Sequence, residues 1–162
     1  MHFHHYLYVT IPEHCKALTQ LLLADHCLVE VQLRYAGWHR PYVPYKWCLC
    51  RFCKNDVEDA PLALLACDGS VDLIALCRVF LESVFKLAPL LKGLLPGCTT
   101  LSFFLHLMTF KNVVNFTAKY SYDVLLVYVG KEMLVVDGAA YGAEGPTPHP
   151  AAPNIHVINN ML

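Results

Sequence analysis

The segment CLCRFCKNDVEDAPLALLAC, residues 48–67, places four of the chain's eight cysteines within twenty residues. Cysteines this close share a metal, form a redox pair or vanish into a core, and each outcome dictates a different local backbone. Cys50 and Cys53 form a Cys-x-x-Cys pair, which delivers two thiolates from one tight reversal of the chain, as tetrahedral zinc requires. Cys67 stands well as a third ligand if the preceding ALLA is a helical turn beneath the reversal. The spacing leaves the fourth ligand open. Cys48 shares a face with Cys50 in an extended segment, but Cys50 must turn toward the metal, so joint use demands an irregular backbone; His39 needs a fold-back across two prolines. Asp56, Glu58 and Asp59 each offer an oxygen. Burial of the cysteines as small hydrophobes is an equal alternative, and a redox dithiol is a weaker one, because no βαβ pattern surrounds the pair.

Around this cluster the chain has 162 residues, 56% of them hydrophobic, which is ample for one packed domain. A net charge of -1 excludes a global field that would draw the protein onto a polyanion, so any nucleic-acid contact must be local. The start, MHFHHYLYVT, lacks a basic segment followed by an apolar run, so an intracellular, nuclear or cytoplasmic protein is expected rather than a secreted one. In a reducing compartment the cysteines are thiols or metal ligands. Gly93 to Phe110 carries no charge, but Pro96, Gly97 and His106 interrupt it, and a buried helix is expected there instead of a membrane span. No metal role is assigned to the terminal HFHH histidines.

Pro12 suits a first helical turn, and Leu18, Leu21, Leu22, Leu28 and Val29 approximate helical spacing, giving one helix over 12–34 or two broken near Ala24–His26. GWHRPYVPYKW then forces an extended approach to the cysteines. Asp68 and Ser70 are candidate caps for a helix whose apolar face is read as Val71, Ile74, Ala75, Val79, Val84 and Phe85. Pro89 kinks or restarts it, and Pro96–Gly97 stops it. Residues 100–110 and 112–129 read as two further helices, the second with Phe116, Tyr120, Val124 and Val127 on its face. VLLVYVG leaves a strand open at its end. The expected architecture is a mostly α, small helical domain with an inserted knuckle-like Cys-x-x-Cys turn or hairpin. Its parts are a lead over 1–11, helical segments over 12–36 and 68–130 packed as one domain, the knuckle over 37–67, and an irregular or disordered tail over 131–162.

No phosphate loop, dinucleotide fingerprint, nucleophile elbow or zinc-protease motif is present, so neither catalysis nor a small-molecule substrate is expected. Arg40, Lys46, Arg51 and Lys54 interleave with Tyr45 and Trp47, a pattern in which cations place phosphates and aromatic faces stack on bases. These six are the candidate contacts to RNA or single-stranded DNA. A solvated rim around inward-packed aromatics is the alternative.

The order ALTQLLLADHCLVEVQLRY, HRPYVPYKWCLCRFC, VEDAPLALLAC, then a leucine-rich helix and AKYSYDVLLVY, resembles the carboxy-terminal zinc-binding region of reverse transcriptases from fungal non-long-terminal-repeat retrotransposons. The resemblance covers about residues 10 to 130 and implies a zinc knuckle that helps hold nucleic acid. It implies zinc on Cys50, Cys53 and Cys67, with a histidine at position 62, where this chain has Leu62. It also implies arginine where Cys48 and Cys77 stand, so the chain reads as a degenerate copy whose zinc site is incomplete. Lacking a polymerase motif, it is expected at most to bind nucleic acid weakly. The competing expectations are a helical interaction domain without metal or nucleic acid, and a small membrane-associated protein.

Overall fold

The structure, a computed structural model, describes residues 4–34 and 43–136. Among these residues it is mostly helical, with seven α-helices and no β-strand beyond one isolated bridge. The expected fold class is therefore observed. In chain order the helices are α1 (Pro12–Leu22), α2 (Val29–Arg34), α3 (Ala60–Leu65), α4 (Val71–Leu87), α5 (Leu90–Leu94), α6 (Thr100–Leu107) and α7 (Val114–Val129). Short 3-10 turns occupy His4–Tyr8, Tyr45–Trp47 and Leu95–Gly97.

The first helical segment is two helices. Ala24 adopts φ 52, in the left-handed region that a side chain tolerates poorly, and the chain reverses there between α1 and α2. Pro12 opens α1, where its missing N–H costs nothing. VLLVYVG is helical as far as Val129, so the strand alternative does not apply. Val124 is buried along α7, which lies against both α1 and α4, whereas Val129 is exposed.

Two faces differ from the sequence reading. On α4 the buried residues are Leu73, Cys77, Phe80, Leu81 and Val84, whereas Val71 and Val79 are 82% and 62% exposed. On α7 Phe116 is exposed, and Val114, Thr117, Ala118, Ser121, Val124, Leu125 and Tyr128 form the inner face. Both helices carry apolar residues on more than one side, so periodicity alone mixes the stripes: Val84, Tyr120 and Val124 are inside as read, whereas Val71, Val79 and Phe116 are not. The choice is made by Phe80 and Tyr120, whose rings stack with centroids 4.1 Å apart and 4° between planes, while the Tyr120 hydroxyl donates to the Leu64 carbonyl. This stack fixes the rotation of both helices and ties them to α3.

The main core runs from Leu18 and Leu21 through Leu64, Leu81 and Leu107 to Val124 and Tyr128, and includes Cys50 and Cys67. A second, smaller cluster gathers Val29, Leu33, Val43, Trp47 and Cys48, with Val57, Met133 and Val136 packed on it. Residues 131–136 are irregular, yet they lie against this cluster and close it. Residues 37–42 of the expected knuckle and 137–162 of the expected tail lie outside the described residues. No described helix is long and apolar enough to cross a membrane.

Candidate metal centre

The cysteine segment folds as a short hairpin. Leu49 and Val57 form an antiparallel bridge, the Cys50 amide donates to the Asp56 carbonyl at 2.8 Å, and the Glu58 amide donates to the Cys48 carbonyl at 2.8 Å. At the tip the Lys54 amide reaches the Cys50 carbonyl at 2.9 Å, and Lys54 itself takes φ 63. That reversal turns Cys50 and Cys53 toward the same point.

Cys67 arrives from the other side. Asp59 caps α3 by accepting from the Leu62 amide at 2.8 Å and is itself held by the Tyr45 hydroxyl at 3.1 Å. The helix ends after one and a half turns, with the Cys67 amide on the Leu62 carbonyl at 2.8 Å. Gly69 then passes directly against the Phe52–Cys53 peptide, where a Cβ would lie 2.3 Å from the Cys53 nitrogen. Only glycine permits this approach, and it seats Cys67 against the hairpin.

The three sulfurs of Cys50, Cys53 and Cys67 lie within 4.8 Å of one another, with Cys50 and Cys67 at 3.6 Å. Backbone amides aim at all three: Cys53 at the Cys50 sulfur, Asn55 and Asp56 at Cys53, and Gly69 at Cys67. Such donors favour the thiolate form. The Cys53 thiol is pulled far below its ordinary range by hydrogen bonds from Cys50 and Cys67 and by its two amides. Cys50 is pushed up by its hydrogen bonds to Cys53 and Cys67 and by burial. Three convergent sulfurs cradled by amides could hold a metal ion.

The hairpin also carries a buried ion pair. Glu58 is fully buried and bonds Arg51 at 2.6 Å, with side-chain exposures of 3% for Arg51 and 0% for Glu58. Arg51 further donates to the carbonyls of Tyr128 at 2.7 Å, Lys131 at 2.8 Å and Cys27 at 2.9 Å. Glu58 accepts from the Val29 amide at 2.9 Å and the Arg51 amide at 2.8 Å. One pair therefore satisfies the start of α2 and the end of α7, where helices leave backbone groups unpaired.

Of the residues expected to touch nucleic acid, Tyr45, Lys46 and Lys54 are exposed. Trp47 is buried in the second cluster, and Arg51 is consumed by the pairing above, so neither side chain is presented to a ligand. These two assignments are corrected: aromatic and basic residues interleave in the sequence, but the hairpin turns this pair inward. Arg40 and His39 lie outside the described residues. Cys48 is buried against the Pro44 carbonyl and outside the sulfur cluster, Asp59 caps α3, and Glu58 is held by Arg51. Leu62 is half-buried and packs on the main core.

Sequence reasoning missed two contributors. Gly69, two residues after Cys67, stands in a DGS stretch that signals a tight turn. Tyr128 was not, since seventy-eight positions separate it from Cys50, whose sulfur its hydroxyl approaches at 3.7 Å. The Tyr128 ring is buried edge-on to Phe52, at 5.0 Å and 89°, and burial pushes its phenol well up. No family model, curated protein or solved structure matches this chain.

Proposed function

We propose that this chain is a degenerate form of the carboxy-terminal zinc-binding region of a retrotransposon reverse transcriptase: a metal-stabilised helical module with weak affinity for single-stranded nucleic acid and no polymerase activity of its own. The observation that supports it is the convergence of Cys50, Cys53 and Cys67 within 4.8 Å, the same three positions that the sequence resemblance nominates. When bound, zinc would join the hairpin to the end of α3 as a structural crosslink; Cys50, Cys53 and Cys67 would hold it.

Nucleic acid would be met on the outer face of the hairpin by Tyr45, Lys46 and Lys54, which are exposed. With few cations there, binding is weak and salt-dependent. A second reading, a helical interaction domain without nucleic acid, is favoured by one fact: the strongest candidate for phosphate, Arg51, is buried.

Two measurements test these readings. Protein purified without chelator should carry close to one equivalent of zinc, and less than about half an equivalent overturns the metal reading. Binding to single-stranded RNA or DNA should fall as salt rises, and Lys46→Glu with Lys54→Glu should shrink the salt slope by about two. Absence of binding at low salt selects the second reading.

A further inference from the structure

Three thiolates leave a tetrahedral metal one ligand short, and position 62, where the resemblance implies histidine, holds an aliphatic side chain packed on the core. Among the described residues, one side chain from outside the cysteine segment brings a donor atom to the sulfurs. The Tyr128 hydroxyl lies 3.7 Å from the Cys50 sulfur and within hydrogen-bond reach of Cys67. Tyr128 is fully buried on the inner face of α7, and its ring packs edge-on to Phe52 of the hairpin with its oxygen at the sulfurs.

The two separations at Cys50 match a shared metal. With metal–sulfur bonds of about 2.3 Å and metal–oxygen bonds of about 2.1 Å, tetrahedral ligands stand about 3.8 Å apart for two sulfurs and about 3.6 Å for sulfur and oxygen. The structure has 3.6 Å between Cys50 and Cys67 and 3.7 Å between Cys50 and the Tyr128 oxygen. The Arg51 guanidinium lies over the Tyr128 ring at 5.4 Å and donates to the Tyr128 carbonyl at 2.7 Å, which holds the ring in place.

We infer that Tyr128 supplies the fourth ligand, so that a divalent cation is held by three cysteine sulfurs and one phenolic oxygen. Loading then releases the thiol protons and the phenolic proton to solvent. This rests on the metal reading above and replaces the missing histidine with a residue distant in sequence, on α7.

The full chain is titrated with cobalt(II) and with zinc. Wild type should show the intense visible bands of four-coordinate cobalt and, with either metal, the ultraviolet difference band of a metal-bound phenolate. Tyr128→Phe, which keeps the ring, should lose the phenolate band and bind at least about tenfold more weakly. Metal bound by wild type without a phenolate band overturns the inference and leaves the three-sulfur site standing. No binding by wild type overturns both. Should Tyr128→Phe fail to fold, the wild-type band alone decides, because it requires no variant.

Discussion

Arg51 and Glu58 illustrate how a residue's role depends on what faces it. In the sequence Arg51 stands among aromatics and other cations, and a surface phosphate contact is the natural reading. Across the hairpin it meets Glu58, and both are sealed from water. Arg51→Met leaves an uncompensated buried carboxylate and should cost about 3–5 kcal/mol by denaturant unfolding, while Arg51→Met with Glu58→Met should recover much of that loss. Equal stability of the single and double variants would contradict the pairing. Gly69→Ala should lower metal affinity about tenfold or more, because its Cβ would collide with the Cys53 backbone. His26 offers a pH test. Burial lowers its pKa below the ordinary 6.5, so the unfolded chain binds its proton first. Its contribution is complete above about pH 6.5 and is lost as pH falls from there toward the lowered folded value. Metal-free His26→Leu protein should therefore show a flatter decline in stability over that window than metal-free wild type.

At the scale of elements, most helix positions were legible because their punctuation is local. Pro12 opens α1, Pro89 precedes α5, and Pro96–Gly97 closes the turn before α6. The buried faces of α4 and α7 were not, because Val71, Val79 and Phe116 are as apolar as the residues actually inside. Which stripe faces inward is decided by the Phe80–Tyr120 stack, a contact between residues forty positions apart that no window of the sequence contains. Phe80→Ala should accordingly cost about 3–5 kcal/mol, whereas Val79→Lys should stay within about 0.5 kcal/mol. Thermal or denaturant unfolding of the two separates the faces. For the site, the turn and its three cysteines were readable from the Cys-x-x-Cys and the helical turn at ALLA, whereas the Asp59 cap and the contribution of α7 were not.

Over the whole molecule, the sulfur cluster and the Arg51–Glu58 pair sit on one hairpin and reach α2, α3 and α7. Metal should therefore stabilise the entire domain and not the hairpin alone: at free zinc 100 times its dissociation constant, the gain is about 2.7 kcal/mol, and a chelator should lower the melting temperature as a single cooperative transition. Separate transitions would show that the hairpin melts alone. The packing of α1 on α7 has a consequence for synthesis. About ninety residues separate the two helices, so at about 5–20 residues per second α1 leaves the ribosome roughly 5–18 seconds before its partner exists. Throughout that interval Leu18 and Leu21 are without their native cover, and a nascent chain stalled before Val114 should recruit holdase chaperones that the finished protein does not.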